Sequence, residues 1–114
     1  MIKVYIASPY TLGDVKRNVE KQIEVSNLLR ITNENILPYW PLSSHYWNEL
    51  YEHDYNFWMK LCLDWLMTMD CVLRLDGESK GADKEVSIAK RLGIPVFYSI
   101  EKLLEYVRYE TEVL

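Results

Sequence analysis

Short apolar, β-rich runs alternate along this chain with stretches of helical periodicity, and that alternation limits the fold more than any single motif does. Ile2 to Ala7 (IKVYIA) reads as a strand ending in the turn signal Ser8-Pro9-Tyr10. A helical pattern runs from about Asp14 to Leu29. It puts Val15, Val19, Ile23, Ser26 and Leu29 on one face and Lys16, Arg17, Glu20, Lys21 and Glu24 toward water, with Thr11 or Asp14 as the cap. Asn33-Glu34-Asn35 is a turn, and Ile36 to Trp40 is a second strand that Pro38 and Pro41 shorten or place near an edge. Ser43 to Tyr55 is polar and aromatic and reads as a loop with room for one helical turn. Phe57 to Met69 is a helix apolar on most faces, which predicts deep burial. Cys71 to Leu75 is a third strand and Asp76 to Lys80 a polar loop. Gly81 to Leu92 is a helix stopped by Gly93. Ile94 to Tyr98 is a fourth strand, and a last helix spans Glu101 to about Tyr109, with the final residues fraying.

Strands alternating with helices imply an α/β domain, a parallel sheet of four to five strands joined by right-handed crossovers, with helices on both faces. At 114 residues the chain is expected to form a single domain, 1–114. In such sheets ligands sit beyond the carboxyl ends of the strands. That rule selects Ala7–Tyr10, Trp40–His45, Leu75–Gly81 and Tyr98–Ser99 for chemistry.

Composition narrows the function classes. Thirteen Lys and Arg against 17 Asp and Glu give 13 − 17 = −4, and no basic stripe runs along any element, so a nucleic-acid polymer is not the expected partner. A single nucleoside or nucleotide remains open, since one phosphate needs only a few donors. Cys62 and Cys71 do not make a disulfide framework, and no Cys/His cluster has zinc-ligand spacing. No apolar run approaches the roughly 20 residues of a membrane span. Met1-Ile2-Lys3-Val4-Tyr5 leads straight into a strand, leaving no room for a signal peptide. The expectation is a cytoplasmic, reduced protein without metal or cofactor and without membrane contact.

The most informative stretch is Leu75-Asp76-Gly77-Glu78-Ser79-Lys80-Gly81-Ala82-Asp83-Lys84-Glu85, a strand end, a glycine-bearing loop and a helix start. Free backbone N–H groups there suit an anion, and Ser79 adds a hydroxyl. Neither the P-loop pattern nor the GxGxxG fingerprint is present. Asp76 and Glu78 would repel a phosphate, and Lys80 partly offsets them. Glu85 lies about one turn into the helix, where the helix dipole would hold it ionised. It is either a carboxylate beside a ligand pocket, able to attack a sugar carbon, or an exposed first-turn Glu. His45 and His53 lie among Tyr46, Trp47, Tyr51 and Tyr55, either a lid that stacks on a base or a subunit interface. His45, at a strand's carboxyl end, is the site candidate, and His53 reads as surface. Asp70 reads as a turn or capping residue, Trp58 and Trp65 as core, and both cysteines as small buried apolar residues.

Val4-Tyr5-Ile6-Ala7-Ser8-Pro9-Tyr10, Asn18, Pro38, Pro41, Asp70-Cys71-Val72 and Gly77-x-Ser79-x-Gly81-Ala82-x-x-Glu85-x-x-x-Ala89 together resemble the nucleoside 2-deoxyribosyltransferase superfamily, most closely its small, phage-type branch. The similarity covers residues 2 to about 98. It implies a flavodoxin-like or Rossmann-like fold and cleavage or transfer at the N-glycosidic bond of a deoxynucleoside or its 5′-monophosphate. Glu85 matches the family nucleophile that attacks C1′, and Tyr5 the tyrosine that orients it, although Tyr5 also reads as a core strand residue. Ser8, Pro9 and Tyr10 fall in the loop lining the sugar pocket. Ser79 and Gly81 match the residues that hold a 5′-phosphate, beside Asp76. Family members commonly complete their sites from a neighbouring subunit, which implies a homodimer or higher homo-oligomer. One position departs from the pattern. Cys62 stands where the family carries an aspartate, and Asp64 could replace it only with a rotated or shifted helix. A thiol is a poor acid for protonating a leaving base at neutral pH. The alternative is therefore a protein of the same fold that binds a nucleotide derivative without turning it over.

Overall fold

The computed structural model describes residues 1–112. Its elements are β1 (Ile2–Ala7), α1 (Val15–Thr32), β2 (Ile36–Tyr39), a 3₁₀ turn (Pro41–Ser43), α2 (Ser44–Leu50), α3 (Tyr55–Leu66), β3 (Cys71–Arg74), α4 (Lys80–Arg91), β4 (Val96–Phe97) and α5 (Ile100–Glu112). Every strand pair is parallel, in the order β2-β1-β3-β4. This is the α/β architecture expected from the alternation, with the strand order of flavodoxin-like sheets. The chain leaves β1 toward β2 and returns on the other side to β3. The crevice of such a sheet opens beyond the carboxyl ends of these two central strands.

The period-two alternation of side chains along β1 separates two cores. Val4 and Ile6 join Val25 and Leu29 of α1 and Leu103 and Val107 of α5 on one face. Tyr5 and Ala7 join Leu66 of α3 and Ala82 and Ala89 of α4 on the other. Pro38 sits in β2, an edge strand of four residues, where a missing ladder N–H is tolerated. Asp14 caps α1 by accepting from Arg17 N, and Gly93 ends α4 with a φ of 75°.

Four expectations are corrected. Residues 44–50 form a two-turn helix, where the sequence predicts a loop with room for one helical turn. The buried stripe of α1 is Val19, Gln22, Val25, Ser26 and Leu29, while Ile23 faces outward. The phase is set by Gln22, which finds buried hydrogen-bond partners and so outcompetes the neighbouring isoleucine. Helix α3 is not deeply buried, since Leu66 alone among its residues is fully covered. Leu63 packs against the core beside Leu66, while other apolar side chains line a cavity or face outward: Trp65 is 45% exposed and stacks on Tyr39 with ring centroids 4.9 Å apart. Trp58 and Trp65 are therefore not core. Lastly, β4 keeps only two residues and α5 runs on to Glu112. The expected fraying extends to residues 113–114, outside the described residues. No helix among the described residues is long and apolar enough to cross a membrane.

Candidate functional site

A cavity of about 690 Å³ opens at the carboxyl edge of the sheet, within the roughly 300–1,000 Å³ typical of small-molecule sites. Its floor is Glu85, Ala82 and Cys62. One wall is the loop after β1, with Ser8, Tyr10, Thr11 and Leu12. A second is the α3 stripe Tyr55, Trp58, Met59 and Cys62, whose i, i+3, i+4, i+7 spacing puts them on one helical face. The α4 start, Glu78 to Gly81, makes the third wall, and Pro41, Leu42, Ser44 and Asn48 close the far side.

Glu85 sits in the buried stripe of α4 with Ala82, Val86 and Ala89, and is only 7% exposed. That removes the reading as a solvent-facing first-turn Glu. Tyr5, fully buried in the central strand, donates its phenol proton to Glu85 Oε2. Among the described residues Oε1 has no protein partner, and Glu85 lines the cavity. Burial pushes the Glu85 carboxyl up to about 7, against the opposing pull of the Tyr5 hydrogen bond and the Arg74 charge. The helix dipole, which fades beyond the first turn, does not hold it in the ordinary carboxylate range. Tyr5 itself is raised well above its usual value, by burial first and then by the Glu85 charge, and stays a neutral donor. Cys62 packs against the same cluster, and burial followed by the Glu85 charge raises its thiol to about 11. Arg74, at the end of β3, donates to Leu75 O, to Gly77 O at 2.8 Å and to Asp83 Oδ1 at 3.0 Å. It fastens the β3–α4 loop to α4.

The β1 loop is fixed from α1. Gln22, fully buried, donates to Ile6 O (3.0 Å) and Ser8 Oγ (2.8 Å) and accepts from Leu42 N (3.0 Å). Because Ser8 Oγ accepts there, its own proton is free for a ligand. Asn18 Nδ2 donates to Tyr10 O and Leu12 O, holding the outer part of the loop. Ser79 caps α4 by accepting from Ala82 N at 3.1 Å, which leaves its hydroxyl proton free as well. Gly81 lines the cavity beside Met59, where an added Cβ would make only ordinary contact.

Of the residues expected at the site, Glu85, Ser8, Tyr10, Ser79 and Gly81 meet at the cavity, with Tyr5 directly behind Glu85. His45 stands behind Tyr10, whose hydroxyl lies 2.7 Å from Nδ1, while Nε2 pairs with Glu49. Pro9 does not line the cavity; it packs so closely on Gly77 (φ 118°) that a Cβ there would lie 2.7 Å from Pro9 Cγ. Asp76 is exposed and outside the lining, and Glu78 faces the cavity instead. Asp64 is likewise absent from it: its carboxylate pairs with Lys60 on the exposed face of α3. The unrotated helix presents Cys62. Asp70 accepts from Lys3 N at 2.7 Å, at the opposite end of the sheet. Sequence reasoning missed Gln22, Asn48, Trp58, Met59 and Arg74. A polar residue in the 19/22/26/29 stripe of α1 was the available signal for Gln22.

Fold and site together define a flavodoxin-like α/β domain with a buried carboxylate in a cavity at its topological switch point. The chain belongs to the family described as domain of unknown function (DUF4406), whose pattern matches residues 2–98. No curated protein matches the sequence. Among solved structures it is similar to a 2-deoxyribosyltransferase from the psychrotolerant bacterium Bacillus psychrosaccharolyticus. That match has a TM-score of 0.61 and 21% identity, over 82% of this chain and 69% of that one. A conserved protein from Enterococcus faecalis V583 matches with a TM-score of 0.64 and 24% identity, over 84% of this chain; the chain spans 61% of that protein. At these identities the likeness shows a shared fold.

Proposed function

We propose that this protein cleaves or transfers at the N-glycosidic bond of a deoxynucleoside or its 5′-monophosphate, with Glu85 as nucleophile. The observation that carries this reading is a buried carboxylate, held by a buried phenol and facing a nucleoside-sized cavity. In its ionised form Glu85 attacks C1′. The C1′–N bond breaks, its electron pair leaves with the base, and the base takes a proton from water. The product is a deoxyribosyl ester on Glu85. Water or a second base then attacks C1′, and Glu85 departs as carboxylate. Without a 2′-hydroxyl to withdraw electrons, the sugar reaches an oxocarbenium-like state readily, and the carboxylate stabilises that charge. Tyr5 fixes the rotamer of Glu85 and is a positioning residue. Ser8 offers its proton to the sugar. Ser79 and the N–H groups opening α4 suit a 5′-phosphate, with Glu78 opposing and Lys80 favouring it.

Incubation with a panel of deoxynucleosides and deoxynucleotides, followed by chromatography for free base, tests this. Release that falls at least about 1000-fold in Glu85→Ala supports the assignment. Release that survives the substitution sinks it. One observation favours a second reading, binding without turnover. Apart from Tyr5, the proton-bearing side chain beside the carboxylate is Cys62, whose raised thiol is a weak proton donor, and Asp64 lies outside the cavity. Nucleoside binding with no base released would select that reading.

A further inference from the structure

The amide of Asn48 is orientated by its neighbours in a way that has consequences for the ligand. Its Oδ1 accepts from Trp58 Nε1 at 2.8 Å and from His53 N at 2.9 Å. An indole N–H and a backbone N–H can only donate, so the oxygen must be the atom facing them. Its Nδ2, with two protons, has no protein partner among the described residues, and Asn48 is one of the residues lining the cavity. Asn48 therefore presents hydrogen-bond donors, and no free acceptor, to whatever fills the space.

Its place along the cavity is also defined. Cys62 packs on the cluster that contains Tyr5, at the Glu85 end. Trp58 is four residues earlier on the same cavity-facing stripe, about 6 Å along the helix at 1.5 Å per residue. Asn48, hydrogen-bonded to Trp58, stands at that far end. A sugar whose C1′ meets Glu85 projects its base along this stripe. Trp58 and Met59 line the space between and offer apolar contact to a flat ring, whose outer edge then lies toward Asn48.

We propose that Asn48 reads the edge of the nucleobase and selects bases presenting a carbonyl oxygen there, such as uracil, thymine or hypoxanthine, over amino-bearing cytosine or adenine. The assignment rests on the nucleoside reading above. An amino group facing the Asn48 amide would set donor against donor and leave both unpaired, which is the costly arrangement.

Calorimetric binding tests it without requiring turnover. In a Glu85→Gln background, deoxyuridine is titrated against deoxycytidine, and deoxyinosine against deoxyadenosine. The oxo member of each pair binds about tenfold tighter or more. Adding Asn48→Asp keeps an oxygen for Trp58 and His53 but replaces the donors with an acceptor, and the preference inverts. Asn48→Ser, which lacks the amide donors, brings both ratios toward one and serves if the aspartate variant does not fold. A purely structural Asn48 weakens both members of a pair alike. Unchanged ratios with binding retained therefore overturn the Asn48 assignment and leave the glycosyl reading standing. If no nucleoside binds the Glu85→Gln parent, both fall together.

Discussion

The two faces of the sheet are built from the same strands and serve opposite ends. On the α1/α5 face, Val4, Ile6, Val25, Leu29, Ile36, Cys71, Leu73, Leu103 and Val107 make an apolar cluster with no charged member. On the α3/α4 face the cluster is smaller and holds Tyr5, and beside it α3 and α4 enclose space rather than closing on each other. One residue along β1 separates them: Ile6 points into a sealed core, while Tyr5 points to a carboxylate. The sealed face supplies the stability that lets the other bury Glu85, an ionisable group whose charged form costs free energy in a poorly hydrated wall.

The largest expected effect breaks the sealed face. Leu73→Ala, at a position with no exposure, removes packing between β3 and its neighbours and should cost about 2–5 kcal/mol in chemical denaturation. Nucleoside affinity of the molecules that remain folded should be unchanged. A loss of affinity larger than the unfolded fraction accounts for would show that the two faces are coupled.

The next effect has the opposite sign and belongs to the open face. The folded-state pKa of Glu85 is about 7 against an ordinary 4.5, so the folded protein holds this proton more tightly than the unfolded chain. The stabilisation from the neutral form is whole below about 4.5 and is lost as pH rises through about 7. Glu85→Gln keeps an acceptor for Tyr5 and removes the ionisation. It should be more stable than the parent at pH 8 by on the order of 3 kcal/mol, with the gap closing toward pH 4.5. Thermal or denaturant unfolding across that range measures it. Equal stability at pH 8 would mean that the carboxylate is well hydrated in solution. The same titration limits the proposed chemistry, because the nucleophile must be ionised: kcat/KM for base release should rise with pH through about 7.

Much of this was legible in the sequence for a physical reason. Parallel α/β sheets bury both faces of their central strands, so β1 and β3 read as continuous apolar runs, and Pro38 marks an edge because a central strand needs that N–H. Glu85 was legible through the resemblance, while its position alone leaves a solvent-facing first-turn Glu open. The unused signal was the helical stripe 82, 85, 86 and 89, since a carboxylate inside a stripe of Ala and Val is out of place unless it has a partner. What could not be read was the use of the α2–α3 region. Periodicity reports that Trp58 and Met59 share a face, but a face that lines a cavity and a face that packs in a core have the same pattern. Asn48 and Trp58 meet only because α2 folds back on α3. The two-turn α2 lacks a side-chain cap, and none of its residues is buried. Tertiary contact holds it, which no local signal records.

The smallest expected effect distinguishes the two sides of α3. Cys62 and Asp64 are two residues apart, so a helix turns them to nearly opposite sides. Asp64 is paired with Lys60, and the two side chains are 53% and 74% exposed. An exposed i,i+4 pair of this kind contributes at most a few tenths of a kcal/mol, and salt screens it. Asp64→Asn should therefore leave denaturation midpoints within about 0.5 kcal/mol, nucleoside affinity unchanged and any base release within about twofold. If the acid partner of Glu85 were Asp64, delivered by rotation of α3 when ligand enters, the same substitution would cut base release tenfold or more and add a limb to its pH profile. Stability would be untouched in both cases, so the rate alone decides whether the cavity face of α3 ends at Cys62 or whether the helix turns to bring its outer face in.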